Sequence, residues 1–465
     1  MPVRGFFLLS SSRLSFLFQQ SLLLQKQKHQ RHVTAAITAS SVGLFQSTTS
    51  NNIQHDTTAT GNTMAPQQRE DQTTSPAARL VTIEALEACG ERLRAGDLVA
   101  FPTETVYGLG CHALDPSAVQ KVFDAKERPL TDPLIVHVAT AEDALPLWDE
   151  EYHTQQTSIL KAIGKQFWPG PLTLVAKAAS HVPPILMANT GFVACRCPLH
   201  PVAQALIQQA KVPIAAPSAN KFGHVSPTQS EHVMDDLGQE DVWVVQDTES
   251  CHVGVESTVA KLEYQELQQK YSLTILRQGA ISVQDLQGCL DETGWKGAIT
   301  VTSLSHKTSK DTEATVAPGQ TVKHYSPRIP SFLMAPSLYQ QSTLSQELTT
   351  LLENAIVLDY GGRLLEWKSK ARQYRDLSPE GNSKEAAQRV FDYLRWTETA
   401  DAAAQYVVFP QVVTSLPVNK SNHDEHDDDA LTLALHDRLT RAASGVLLDS
   451  TESIRQAIMD VTDTR

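Results

Sequence analysis

The chain is predicted to fold as an α+β domain built on a twisted mixed sheet, followed by a smaller α/β domain. Three observations carry that prediction. From about Leu80 to Gly279, short strand-like runs follow one another with turn signals and only irregularly placed helices, the pattern of a mixed sheet rather than a regular alternation. From Ser331 onward, strands and helices alternate as βαβαβα, which implies parallel strands joined by crossover helices. Hydrophobic residues make up 41% of the 465 residues and charged residues 20%, ample for packed cores.

Residues 1–78 read as a transit peptide and a disordered joint. The first 55 residues hold Arg4, Arg13, Lys26, Lys28 and Arg31 without one Asp or Glu, and they are rich in Ser, Thr, Gln and Leu. That is the composition of an organellar address. Arg13 interrupts the apolar stretch 6–18 and no small-residue cleavage site follows, which argues against a secretory signal. Residues 46–78 are polar and read as the joint. Met64 lies in it, and a start there is expected to give a cytoplasmic short form. The long form is expected in a mitochondrion or plastid.

Residues 79–283 form the larger domain. Its expected strands are 98–101, 134–138, 172–177, 193–197, 214–216, 242–246, 257–261 and 273–277. One helix is well signposted: Ala118, Val119, Val122 and Phe123 share a face, with Asp115 as N-cap and Pro116 at the first helical position. Residues 284–330 are rich in Gly, Ser and Thr and read as a linker. In the C-terminal domain, 331–465, strands are expected at 331–335, 355–360 and 406–410, and helices at 343–354, 383–397 and 430–443. The acidic run 424–429 reads as a solvated loop.

Charge and cysteine usage exclude several function classes. The net charge is −13; without the five leader cations, 34 basic residues face 52 acidic ones, a net of −18. A general nucleic-acid coat would carry the opposite sign, although a local basic pocket is compatible with it. No CxxC or zinc spacing occurs among Cys89, Cys111, Cys195, Cys197, Cys251 and Cys289, so these read as reduced thiols, with Cys195 and Cys197 packing along a strand. No run approaches the ~18 apolar residues of a membrane span, so no membrane partner is expected.

No GxxxxGK[ST] phosphate loop is present. A GxGxxA occurs from Gly108 to Ala113, but the next helix starts only at Asp115-Pro116, whereas the dinucleotide fingerprint opens directly into a helix. The informative residues lie at strand ends. Thr103, Glu104 and Thr105 follow one strand, and Lys126 and Arg128 close the helix, where cations also serve simply to offset its dipole. His137 ends a second strand. Arg196 sits inside an apolar strand, where a permanent charge requires an anion or several acceptors. Ser218 and Asn220 follow another strand, and Glu256 and Ser257 open one more. Cations, hydroxyls and amides without a metal cluster or a nucleophilic triad suit phosphoryl or nucleotidyl transfer by positioning and charge neutralisation.

These motifs carry a resemblance. Phe101-Pro-Thr-Glu-Thr-Val-Tyr-Gly-Leu-Gly110, Lys126 to Pro129 with Pro133-Leu-Ile-Val-His137, Ala216-Pro-Ser-Ala-Asn220 and Val255-Glu-Ser-Thr-Val259 resemble the YrdC-type domain in order and spacing. Pro318-Gly319, His324-Tyr325-Ser326-Pro327 and a tail containing Asp437-Arg438-Leu439 and Arg441-Ala442-Ala443 resemble the longer, two-domain threonylcarbamoyl-AMP synthases, whose C-terminal domain is Rossmann-like. The resemblance implies a nucleotidyltransferase that makes L-threonylcarbamoyladenylate and pyrophosphate from L-threonine, bicarbonate and ATP. A separate transferase then uses the product to modify the adenosine beside the tRNA anticodon, and contact with tRNA or double-stranded RNA is compatible with the family. It further implies that Thr105, His137, Arg196 and Ser257 hold threonine. Lys126, Arg128, Asp132, Ser218, Asn220, Ser226, Arg277, His324 and Tyr325 would hold ATP, with the segment 318–327 as a lid. Lys126, Arg128 and Arg196 would carry catalysis, and alanine at any of them is expected to abolish pyrophosphate release with the fold intact. Magnesium would travel with ATP, with no protein-bound metal or organic cofactor. Two positions depart from the family pattern: Phe192 replaces a small hydroxyl residue, and the lid opens Ala317-Pro-Gly-Gln320. The alternatives are a carbamoyl-transfer domain of the hydrogenase-maturation type, disfavoured by the missing CxxC fingers, and a non-catalytic RNA-binding module, disfavoured by the acidic body.

Overall fold

The computed structural model describes residues 77–152, 155–247, 251–304, 314–319, 324–412 and 430–463. The leader, Met64 and the acidic run 424–429 lie outside the described residues. The larger domain begins with β1 (Arg79–Val81), α1 (Leu86–Arg94), β2 (Leu98–Phe101), β3 (Gly108–His112), α2 (Pro116–Lys126) and β4 (Ile135–His137). Next come α3 (Ala141–Ala144), α4 (Gln156–Phe167), β5 (Leu172–Lys177), β6 (Phe192–Arg196), α5 (Pro201–Ala210) and β7 (Ile214–Ala215). It ends with α6 (Ser230–Leu237), β8 (Val242–Val245), β9 (Thr258–Gln265), β10 (Lys270–Arg277), α7 (Val283–Glu292) and β11 (Thr300–Ser303). The sheet order is β1-β8-β2-β3-β7-β4-β6-β5-β9-β10-β11, with parallel and antiparallel pairs interspersed. The expected mixed sheet is therefore present.

Local chemistry explains most elements. Strand β2 is buried along its whole length, as its unbroken Leu-Val-Ala-Phe requires, whereas β10 buries alternate residues. Helix α2 is capped by the Asp115 carboxylate, which accepts from Ser117 N at 2.9 Å. Its C-cap Glu127 is left-handed at φ 55°, which turns the chain back so that Arg128 N donates to Phe123 O. Strand β3 is not foreseen by the sequence. The glycines of the GxGxxA run are strand residues: a Cβ on Gly110 would lie 2.8 Å from the Phe101 ring and 2.9 Å from Ile214, so only glycine fits between β2 and β7.

The linker reading of 284–330 needs correction at its start. Helix α7 opens on a reciprocal capping box, Ser282 with Asp285, and buries Leu286, Cys289 and Leu290. Strand β11 then pairs parallel to β10. The Gly, Ser and Thr content masked an i, i+3, i+4 apolar stripe. The C-terminal domain comprises β12 (Ser331–Met334), α8 (Pro336–Tyr339), α9 (Gln346–Glu353), β13 (Ala355–Asp359) and β14 (Gln373–Asp376), then α10 (Ser383–Trp396), β15 (Tyr406–Pro410), α11 (Ala430–Ala442), β16 (Leu447–Leu448) and α12 (Thr451–Asp463). Its sheet runs β14-β13-β15-β12-β16 and every pairing is parallel.

The two domains share an apolar core. Val106, Val225, Val255 and Tyr325 pack in one cluster with Phe391, Leu394, Leu435 and Leu439 from α10 and α11. A polar seam runs beside it. His224 meets Asp236 through Nδ1 and Glu398 through Nε2, each at 2.8 Å, while Arg395 reaches Asp236 at 2.9 Å and Arg328 flanks both carboxylates. Burial pushes the His224 pKa down, but its two carboxylate partners outweigh this and hold it above the ordinary 6.5. Burial likewise opposes ionisation of Asp236 and Glu398, yet His224 and Arg395 bring Asp236, and His224 brings Glu398, below their usual values. The signs follow by linkage. The carboxylate contribution is lost as pH falls through the lowered values. The histidine contribution is complete below about 6.5 and is lost as pH rises through the raised value. Melting temperature is therefore expected to fall toward alkaline pH in the native chain, and His224→Gln should flatten that limb. Parallel limbs in a pH series of thermal melts would contradict the assignment.

Candidate active site

The functional side chains converge from the ends of several strands of the larger sheet on one cleft. The turn after β2 brings Thr103, Glu104 and Thr105; β4 and β6 end in His137 and Arg196; β7 leads into Pro217-Ser218; β9 is preceded by Glu256-Ser257 and β10 ends in Arg277. They surround a cleft of about 490 Å³, mouth included, lined by Thr105, Arg128, His137, Arg196, Ser218, Glu256 and Arg277 and roofed by Pro318, Gly319, His324 and Tyr325.

Each lining group is held by the fold. Thr103 Oγ1 accepts from the backbone N–H of Thr105 and of Val106, both at 3.2 Å, and fixes the turn. Arg196 Nη1 donates to Thr105 Oγ1 at 2.9 Å and Nη2 lies 2.8 Å from Glu104 Oε1. Glu104 is thus the anion that the strand arginine demands. Arg128 donates from Nε and Nη2 to the carbonyls of Asp132 and Pro133 and pairs with the Asp132 carboxylate at 2.9 Å. Arg277 donates to Ser257 O at 3.2 Å and Ser257 Oγ at 3.1 Å, and Ser257 Oγ is bonded in turn to Thr173 Oγ1.

Five of the residues assigned by resemblance stand behind the cleft wall. Lys126 is 1% exposed; its Nζ donates to the carbonyls of Ser218 and Asn220 and so braces the Ser218 turn. Asn220 donates to Lys221 O and His224 O. Ser226 donates to Glu256 Oε1 at 2.7 Å. Asp132 pairs with Arg128 and Ser257 is bonded to Arg277, as above. Phe192 also lies off the cleft: Lys261 Nζ is 3.9 Å and Lys177 Nζ 5.5 Å from its ring centre, and it packs on the cluster that contains Ala317.

Burial sets the electrostatics. It pushes His137 down to about 3, with Arg196 adding to the effect, so the imidazole is a neutral hydrogen-bonding group. His324 is driven well below its ordinary value, again by burial first and then by Arg128. Lys126, Arg128 and Arg277 are all shifted downward, chiefly by burial, which Asp132 opposes at Lys126 and Arg128 and Glu256 opposes at Arg277. An anionic ligand would reverse those shifts.

The sequence reading named Glu104, Glu256 and Arg438 within its motifs but gave none of them a role. Arg438 Nε donates to Glu256 Oε2 at 2.9 Å across 182 positions of chain. A signal for Arg438 existed: it falls with Leu435 and Leu439 on the apolar stripe of α11, where a charge needs a partner.

Comparisons with known proteins follow the same division. Residues 91–279 match the family model described as "Telomere recombination", which covers Sua5, YciO and YrdC. Residues 281–444 match "Threonylcarbamoyl-AMP synthase, C-terminal domain". The chain is 37% identical over 235 residues to threonylcarbamoyl-AMP synthase of Pyrococcus abyssi, spanning 50% of this chain and 63% of that one. It is 37% identical over 256 residues to the enzyme of that name from Bacillus subtilis, spanning 55% and 68%. The crystal structure of Pyrococcus abyssi Sua5 complexed with L-threonine superposes with a TM-score of 0.63 at 27% identity, covering 80% of this chain and 99% of that one. With both domains matched in order and the strand-end residues gathered at one cleft, the chain belongs to the threonylcarbamoyl-AMP synthase family.

Proposed function

We propose that the protein condenses L-threonine, bicarbonate and ATP into L-threonylcarbamoyladenylate, releasing pyrophosphate and water. The observation that carries this reading is a single cleft in which Arg128, Arg196 and Arg277 face a neutral histidine and threonine and serine hydroxyls. Threonine's nitrogen would bond to the bicarbonate carbon with loss of water. A carbamate oxygen would then attack the α-phosphorus as its bond to the pyrophosphate oxygen breaks. In this reading Arg196 pairs the threonine carboxylate, while Thr105, neutral His137 and Ser257 orient the rest. Arg128 and Arg277 neutralise phosphate charge, Lys126 and Asn220 hold the Ser218 turn against the nucleotide, and Asp132 and Ser226 fix their charged neighbours. His324 and Tyr325 roof the nucleotide and exclude water. Such a site acts by placement and charge stabilisation, without a covalent enzyme intermediate.

The donor set bears on magnesium. Glu104, Asp132 and Glu256 are each held by an arginine, and among the described residues no group of three or more His, Cys, Asp or Glu is placed to hold a metal. In this reading magnesium travels with the ATP phosphates. The product is a mixed anhydride, an activated acyl donor suited to a transferase acting on a tRNA adenosine. The decisive experiment measures pyrophosphate release by the purified protein with each substrate omitted in turn, with the adenylate identified by mass spectrometry. Release is expected only with all three substrates. Equal release without threonine or without bicarbonate would reject the proposal.

A further inference from the structure

We infer that Arg438, a side chain of the C-terminal domain, is a positioning residue of the nucleotide site: by engaging Glu256 it keeps that carboxylate from neutralising Arg277. The inference rests on the reading that the cleft takes ATP. Glu256 and Arg277 both line the cleft, and a carboxylate beside a phosphate-binding arginine would compete with the nucleotide for the guanidinium. Both oxygens of Glu256 are occupied elsewhere. Oε1 accepts from Ser226 at 2.7 Å and Oε2 from Arg438 Nε at 2.9 Å. Among the described residues, Arg277 bonds only neutral partners, the carbonyl and hydroxyl of Ser257.

Arg438 is built for this task rather than for a surface ion pair. It is fully buried, and Asp437 accepts from its Nη1 at 2.9 Å. Its Nη2 donates to Gln278 O at 2.9 Å, the carbonyl immediately after Arg277. One guanidinium thereby fastens the residue two before β9 to the residue just after β10, two antiparallel neighbours whose register shifts between Ile275 and Arg277. It also lies 5.4 Å from the ring centre of Tyr325, in the roof of the cleft. The C-terminal domain therefore sets the charge that faces the nucleotide without reaching the reacting atoms.

The test compares ATP and L-threonine affinities, each measured alone by calorimetry on the full chain, for Arg438→Gln, Glu256→Gln and the double variant. Arg438→Gln should weaken ATP binding about tenfold or more, because a freed carboxylate then faces Arg277, with threonine affinity nearly unchanged. Adding Glu256→Gln should restore ATP affinity to within about threefold of the native value, a rescue that a merely structural arginine would not give. Native ATP affinity in folded Arg438→Gln, a joint loss of both ligands, or failure of the rescue would overturn the inference. If Arg438→Gln does not melt cooperatively, the double variant decides, since it removes both charges of the Glu256–Arg438 pair. Native-like ATP binding there supports the inference and loss of it overturns it. Direct binding also separates this inference from the proposed reaction, which fails independently if the native chain binds ATP yet releases no pyrophosphate.

Discussion

Arg196→Ala is expected to lower threonine-dependent pyrophosphate release by about 10²–10³-fold, the effect of truncating one partner of a buried charge pair. The side chain is a permanent cation in an apolar strand, 4% exposed. Its Nη atoms are engaged by Thr105 and Glu104, while Nε has no protein partner among the described residues, which leaves one edge of the guanidinium for a carboxylate. The expectation that alanine variants keep the fold intact is corrected by the same geometry. Removing Arg196 strands the Glu104 carboxylate in a site where it is 3% exposed, a situation that costs about 3–5 kcal/mol. Arg128→Ala would strand Asp132 in the same way. A drop in melting temperature should therefore accompany the loss of turnover in Arg196→Ala. Combining it with Glu104→Gln should recover stability but not turnover. Near-normal turnover in either variant, with threonine and bicarbonate present, would refute the role given to Arg196.

What could be read from the sequence depended on the reach of the interaction. Strands β2 and β5 were legible to the residue because a short apolar run bounded by turn residues has few alternatives. Helix α2 was legible because its cap, its proline and its apolar face agree. Strand β3 was not, because its glycines are dictated by Phe101 and Ile214 on neighbouring strands rather than by local conformation. Strands β14 and β16 are edge strands of four and two residues, too short to show a period. The cations of the site announced themselves one by one, since Arg196 violates its own strand. Their partners did not: Glu104 lies 92 positions from Arg196 and Glu256 lies 182 from Arg438, and no spacing rule links residues that only the tertiary fold brings together. The division of the assigned residues into lining and supporting sets was equally invisible, because Lys126 and Arg128 are two positions apart yet the left-handed Glu127 sends them to different sides of the wall.

Gly254→Ala should be the most damaging substitution outside the cleft. Gly254 has φ +73°, and a Cβ there would sit 2.3 Å from Ala387 O and 2.3 Å from the Gln388 Cα. Those are backbone atoms of α10 and cannot rotate aside. The left-handed conformation costs an L-residue about 1–2 kcal/mol and overpacking adds about 1–3 kcal/mol. The variant should therefore lose roughly 2–5 kcal/mol, a fall in melting temperature of roughly 5–15 °C on the usual scaling for domains of this size. Gly288→Ala is the control. That exposed glycine of α7 meets nothing within 4 Å, so its change should be neutral or stabilising by about 1 kcal/mol. Turnover should suffer in Gly254→Ala beyond the loss of folded protein, because the segment around Gly254 is tied at three points. Val253 N donates to Glu104 O at 2.7 Å, Gln388 Nε2 donates to His252 O at 2.6 Å, and Glu256 is held by Arg438. Prising α10 from this segment would pull on the turn that carries Glu104 and Thr105 and on the carboxylate beside Arg277 together. A variant that melts and turns over like the native chain would mean that the domain junction yields without cost, and the C-terminal domain would then be a passive appendage rather than a brace behind the site.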